Sequence, residues 1–210
     1  MESESAGKKA RSRARIVREA ARVLRERGIA GASVDEIMEA AELTRGGFYA
    51  HFKDKDALVA EALDLAFREA RENLLTPKAT DPRSGRAWLE FASGRYVSEE
   101  HVREPSMRCP MPPLSGEVAR ADAVVRAVFT KNVKENVAVA YALIGSRNKH
   151  ARAFAIRTLC SWLGAMVVAR AVDDEAFATE VLLSTRADTL RDYDARATKK
   201  RGARKKPRPK

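Results

Sequence analysis

Apolar residues recur at helical spacing along most of this 210-residue chain, and no stretch alternates apolar and polar residues as a half-buried strand does. Ile16, Ala20, Val23 and Leu24 mark one face of a first helix, which Gly28 closes. Ser33 and Glu36 have capping-box spacing, and Val34, Ile37, Met38 and Ala41 follow as a short apolar stripe. Asp54 is placed to cap a helix whose face is Leu58, Ala62, Leu65 and Ala66, running to Leu74. Asp81-Pro82 predicts another start, with a helix over 81–103 carrying Trp88, Phe91 and Tyr96. Four prolines between Glu104 and Gly116 exclude a long helix there, and a short one is expected over 116–121. Helices are predicted over 122–143, 148–172 and 173–194. The fold class is therefore all-α, with about nine helices in total.

Hydrophobic residues make up 45% of the chain, enough for a real core. The apolar stretch Thr158–Ala169 is closed by Arg157 and Arg170, short of the roughly 20 residues a membrane span needs. No apolar leader follows the first methionine, so a cytoplasmic protein without a membrane partner is expected. The net charge of +11 is unevenly spread. Residues 1–53 carry +3, residues 54–195 carry −1, and residues 196–210 hold nine basic and no acidic residues. Basic ends on a neutral body suit a polyanion, most simply nucleic acid; a solubilising tail has the same composition. Two cysteines and three scattered histidines offer no metal-ligand spacing, and no cofactor is expected.

The segment from Ser33 to Lys53 has helix-turn-helix proportions, with the turn at Glu42-Leu43. Its second helix, Thr44-Arg45-Gly46-Gly47-Phe48-Tyr49-Ala50-His51-Phe52-Lys53, contains adjacent glycines that weaken a helix by roughly 1 kcal/mol each relative to alanine. A helix pressed against a DNA backbone can use that lack of side chain. Thr44 can cap it and leave N–H groups for phosphates. Phe48 and Phe52 share one face, while Arg45, Tyr49 and Lys53 make a basic strip on another.

The run from Leu43 to Leu58, with Gly28-Ile29 to Ala41 before it, resembles the signature of TetR/AcrR-type transcriptional regulators over roughly residues 11–60. A looser likeness extends to Cys109-Pro110 and Leu114–Arg120. The resemblance implies that Thr44, Tyr49 and Lys53 contact phosphates, that Arg45 and the Gly46/Gly47 backbone lie at base edges, and that His51 is a further phosphate contact. Packing of His51 on the Phe52 side, or of Tyr49 as a buried ring, is the structural alternative. Ala50 departs from the bulkier polar residues common at its position. Lys8, Lys9, Arg11, Arg13 and Arg15 could add phosphate contacts or simply solvate a helix start.

The organisation expected is a flexible arm (1–10), a three-helix DNA-binding domain (11–53), a larger effector-binding and dimerisation domain (54–195, with 54–74 as linking helix) and a disordered basic tail (196–210). Residues 54–195 show no catalytic triad, phosphate loop or carboxylate pair, so an enzyme is not expected. A pocket of the family type implies contacts from Trp88, Phe91, Met107, Met111, Phe129, Asn132, Asn136 and Trp162. Asn132 and Asn136 fall inside an apolar arc and need partners, supplied either by a ligand or by neighbouring groups. Cys109, between Arg108 and Pro110, is either a sensor of electrophiles or oxidants or an inert thiol. The helix over 148–172 is apolar nearly all round, and with the last helix it is expected to form a homodimer interface. The function implied is a dimeric repressor of a palindromic double-stranded operator, released by a small molecule; an activating or ligand-independent regulator is the alternative.

Overall fold

The computed structural model describes residues 2–104, 109–145 and 149–204. Among them are nine α-helices, one 3-10 helix and no strand: α1 (Glu2–Gly31), α2 (Val34–Ala40), the 3-10 helix (Arg45–Ala50), α3 (Lys55–Leu74), α4 (Gly85–Tyr96), α5 (Glu99–Arg103), α6 (Met111–Val118), α7 (Ala123–Leu143), α8 (Lys149–Ala171) and α9 (Glu175–Arg204). The chain is all-α, as its periodicity requires.

Local signals act where short-range chemistry is decisive. Ser33 Oγ accepts the Glu36 N–H at 3.1 Å, but only half of the capping box forms, because the Glu36 carboxylate turns to Arg27. Asp54 Oδ1 accepts the Ala57 N–H at 2.7 Å and caps α3, which lowers the Asp54 pKa. Asp174 caps α9 through the Phe177 N–H at 3.0 Å. Gly28 breaks the regular course of α1 with φ 78° and ψ −179°, a conformation open essentially to glycine alone.

Other expectations change. Asp81 does not start a helix; its carboxylate binds the Arg83 guanidinium at 2.5 Å, and α4 begins at Gly85. The predicted helix over 81–103 is two helices, α4 and α5. α6 starts earlier than predicted, at Met111, because Pro112 and Pro113 occupy its first turn, where no N–H partner is lost. Residues 2–10, expected as a flexible arm, continue α1; Ala10 and the basic residues around it are good helix formers. Likewise α9 runs through an Ala/Arg/Lys-rich stretch to Arg204, so residues 196–204 of the expected tail are helical, while 205–210 lie outside the described residues.

Two compact units result: Met1–Asn73 with Glu104–Asn136, and Leu74–Arg103 with Val137–Lys210. In the first, Ile16, Val23 and Leu24 of α1 join Ile37, Met38, Phe48, Phe52, Leu58, Leu63 and Phe67 in a buried core. Phe67 of α3 meets Phe129 of α7 edge-on at 5.4 Å, and Arg25 of α1 pairs with Glu69 of α3 at 2.7 Å. The aromatic contact with α3 therefore brings α7 into the packing group of the N-terminal helices.

In the second unit, Trp88 and Trp162 are fully buried with ring centroids 6.2 Å apart. Each indole N–H is satisfied, Trp88 by Leu75 O at 2.8 Å and Trp162 by Thr189 Oγ1 at 3.0 Å. Over His150–Ala171, α8 is long and apolar enough, by length and composition alone, to cross a membrane. Its Phe154, Leu159, Trp162 and Met166 are nonetheless core residues of this unit.

Candidate nucleic-acid interface

The helix-turn-helix is built from its apolar side outward. Ile37 and Met38 anchor α2, and the chain reverses with Leu43 N–H bonded to Met38 O at 2.9 Å. Glu42 takes a left-handed conformation there (φ 53°), unusual for a residue with a side chain, and pairs with Arg15 at 3.2 Å. Phe48 and Phe52 stack at 5.7 Å beneath the 3-10 helix. Arg13 of α1 lies 4.4 Å over the Phe52 ring and forms an ion pair with Glu61 of α3. The second helix of the motif is thus clamped from one side by two aromatic rings.

That clamp turns the polar residues outward. Tyr49 is 76% exposed, and the side chains of Arg45 and Lys53 are 78% and 76% exposed. Tyr49 is an open ring, edge-on to Phe48 at 5.2 Å, so the buried alternative does not hold. Thr44 sits at the N-cap, exposed, and makes no side-chain capping bond. Arg45 Nε rests 2.9 Å from Asp35 and Lys53 Nζ 3.4 Å from Asp54. Exposed pairs of this kind are worth about 0–1 kcal/mol, little hindrance to a phosphate competitor.

The two glycines differ. A Cβ on Gly46 would meet nothing within 4 Å, whereas one on Gly47 would lie 3.7 Å from Met38 Cε. Gly46 is the point of open approach, and Gly47 faces the motif's own core. His51 is half-buried, with Nδ1 buried and lacking a hydrogen-bond partner among the described residues. Burial first, then Lys9 and Arg13, lower its pKa.

The basic residues of α1 divide by helical phase. Lys8, Arg11, Arg15 and Arg18 line an open groove of about 580 Å³ with Ser12 and Ala14. Arg13 packs inward on Phe52. Their helical spacing was readable in the sequence, but only once α1 is known to continue through this region.

The effector candidates also separate. Met111, Phe129, Asn132 and Asn136 fall in the first unit, Trp88, Phe91 and Trp162 in the second, and Met107 lies outside the described residues. Asn132 and Asn136 are buried and satisfied by the protein itself. The Arg71 guanidinium donates to Asn136 Oδ1 at 2.9 Å and Asn132 Oδ1 at 3.2 Å, and pairs with Glu135 at 2.7 Å. Asn132 Nδ2 donates to Asp64 Oδ1 at 2.8 Å. Sequence reading missed Arg71, whose position on α3 carries no signal of a partner about 60 residues away. Phe91 is covered by Arg83 and Arg95, at 5.0 and 5.7 Å from its ring. Cys109 is buried and Cys160 exposed.

This arrangement defines a helical protein with an N-terminal helix-turn-helix. The family described as bacterial regulatory proteins, tetR family, matches residues 16–62. The HTH-type transcriptional repressor DhaR of Mycobacterium sp. (strain GP1) is 34% identical over 62 residues, which span 30% of this chain and 31% of that protein. The chain thus matches about a third of that relative's length. A TetR-family regulator from Cytophaga hutchinsonii superposes with TM-score 0.74 at 22% identity, covering 88% of this chain and 96% of its own. SCO4454, a TetR-family regulator from Streptomyces coelicolor, does so with TM-score 0.67 at 25% identity, covering 88% and 96%. Reduced NemR of E. coli gives 0.69 at 18% identity, covering 85% and 94%. Residues 16–62 thus match the helix-turn-helix of the tetR family of bacterial regulatory proteins, and the chain as a whole has the fold of the TetR-family regulators it superposes on.

Proposed function

We propose that the chain is a cytoplasmic, dimeric one-component repressor that binds a palindromic double-stranded operator and is released by a small-molecule effector. The observation that carries this reading is the outward strip Thr44, Arg45, Tyr49 and Lys53 beside the open Gly46. An exposed tyrosine flanked by cations, on a helix held by buried rings, suits phosphates and base edges better than solvent. The name of the Mycobacterium relative favours repression. Ile156, Val167 and Val168 of α8 with Phe177 and Leu183 of α9 are large apolar residues left exposed, the kind of surface a second copy covers. Operator half-site spacing would follow from that pairing. For Cys109, burial favours the inert thiol over the sensor.

The test is selection of bound duplexes from a random pool, then release assays with a small-molecule library. Lys53→Ala should weaken binding to every duplex and reduce the salt slope by roughly one unit. An unchanged slope removes Lys53 from the phosphate contacts, and duplex binding that no small molecule relieves favours the ligand-independent alternative.

A further inference from the structure

We propose that the C-terminal end of α9 is a second site for duplex DNA, one that reads no sequence and tracks phosphates. It lies in a different segment from the helix-turn-helix and stands whether or not that motif reads an operator. Residues 196–210 hold nine basic and no acidic residues. α9 carries that run on as helix to Arg204.

The acids that precede the run are already matched within the second unit. Asp188 accepts from Arg191 at 2.6 Å. Asp192 accepts from Arg157 of α8 at 2.5 Å and from Arg196 at 2.9 Å. Asp194 accepts from Arg86 of α4 at 3.1 Å. Arg196 also lies 5.0 Å over the Phe154 ring, so it belongs to the packing of α8 against α9. Eight of the nine cations follow it in the sequence, and no carboxylate does.

The spacing of that charge fits a duplex. Lys199, Lys200, Arg201 and Arg204 lie within five residue steps of helix, about 7.5 Å at about 1.5 Å each. That is one cation per about 2 Å of axis, against one phosphate per roughly 1.7 Å of B-DNA. Like charges at i, i+4, such as Lys200 and Arg204, repel in water, and a row of phosphates relieves the repulsion. Composition separates the duplex from other polyanions. From Ala195 to Lys210 there is no aromatic residue and no Val, Leu, Ile or Met. A helix lying in a bilayer surface needs an apolar face, and single strands are held largely by stacking on aromatic rings. Duplex phosphates need only cations. Such a contact is indifferent to sequence and lets a protein slide along DNA between specific sites.

The test uses the full chain. One variant combines Lys199→Gln, Lys200→Gln, Arg201→Gln and Arg204→Gln, since glutamine removes charge with little loss of helix propensity. A second, with Lys199→Arg, Lys200→Arg, Arg201→Lys and Arg204→Lys, keeps the charge. Affinity is measured against salt on a scrambled-sequence duplex and on phosphatidylserine vesicles, with hydrogen exchange followed at 197–204. For wild type, the duplex should slow exchange at 197–204 at least about threefold. The glutamine variant should lose that protection and bind the duplex at least about tenfold more weakly at low salt, with a slope shallower by about two to four units. The charge-keeping variant should match wild type. Glutamines that leave the slope within about half a unit, or a charge-keeping variant that falls with them, overturn the site. Protection of 197–204 by vesicles but not by duplex overturns it as well. Failure of the helix-turn-helix reading shows separately: a duplex enriched from a random pool would bind no better than the scrambled one, while the glutamine comparison still decides α9.

Discussion

The outward strip of the helix-turn-helix and the centre of α7 are both polar surfaces, and they end in opposite states. Arg45, Tyr49 and Lys53 are held outward and only lightly partnered. Asn132 and Asn136 are buried and fully engaged by Arg71, Asp64 and Met111. A polar group left open in water costs the fold almost nothing and stays free to bind. A buried one must be satisfied, and once satisfied it fixes geometry. The first surface is open to a partner; the second holds helices in register.

Substitutions should divide along the same line. The largest effect is expected from Arg71→Ala, which strands two buried amide oxygens at about 1–3 kcal/mol each. Urea unfolding should show the loss in its midpoint. A shift of less than about 0.5 kcal/mol would mean the α7 amides find other partners and would erase the contrast. Gly28→Ala comes next, since it adds strain at a positive φ and collides with Glu117; a cost of about 1–3 kcal/mol is expected by the same measurement.

The glycine pair sharpens the comparison within a single turn. Gly46→Val should change stability by no more than about 0.5 kcal/mol, yet lower duplex affinity about tenfold, or 1.4 kcal/mol. At Gly47 a Cβ already stands in van der Waals contact with Met38 and Thr44, so the added methyls of Gly47→Val crowd the motif's own core and should show mainly as lost stability, of about 1–3 kcal/mol. If the two valines behave alike in both assays, the outward face has been misassigned.

The smallest effect concerns His51. Burial, with Lys9 and Arg13 nearby, holds its folded pKa below the ordinary 6.5. The unfolded chain therefore takes up the proton first on acidification. Stability from this group is fully present above about pH 6.5 and is lost as pH falls through the folded value. His51→Gln should flatten that part of the stability–pH curve, measured by thermal unfolding between pH 7 and 5. An unaltered curve would place the imidazole in solvent, alongside the strip.

Much of the outward side of the helix-turn-helix was legible in the residues because its determinants are local. Ser33, Asp54, Phe48 and Phe52 act within four positions of their partners; Arg45, Tyr49 and Lys53 are exposed as expected, but the 3-10 helix ends at Ala50, so Lys53 lies beyond the helix that was expected to carry it. Where local signals competed, reading failed. Asp81 had the spacing of a cap, but a guanidinium two residues away outbid the backbone amides. The prolines at 112 and 113 marked a break correctly, yet the helix begins with them. The amides of α7 could be flagged as needing partners, but ligand and protein remained equal candidates.

Helical periodicity and the caps at Ser33 and Asp54 were thus determined by the sequence by itself, since hydrogen bonds and side-chain directions over one or two turns depend only on near neighbours. Which helices share a core, that Gly46 is open while Gly47 is backed by Met38, and that Arg71 and Glu117 tie together segments about 60 and 90 residues distant were decided only by the tertiary structure. Those contacts arise from the mutual burial of separate helices, and burial has no signature in the spacing of any single segment.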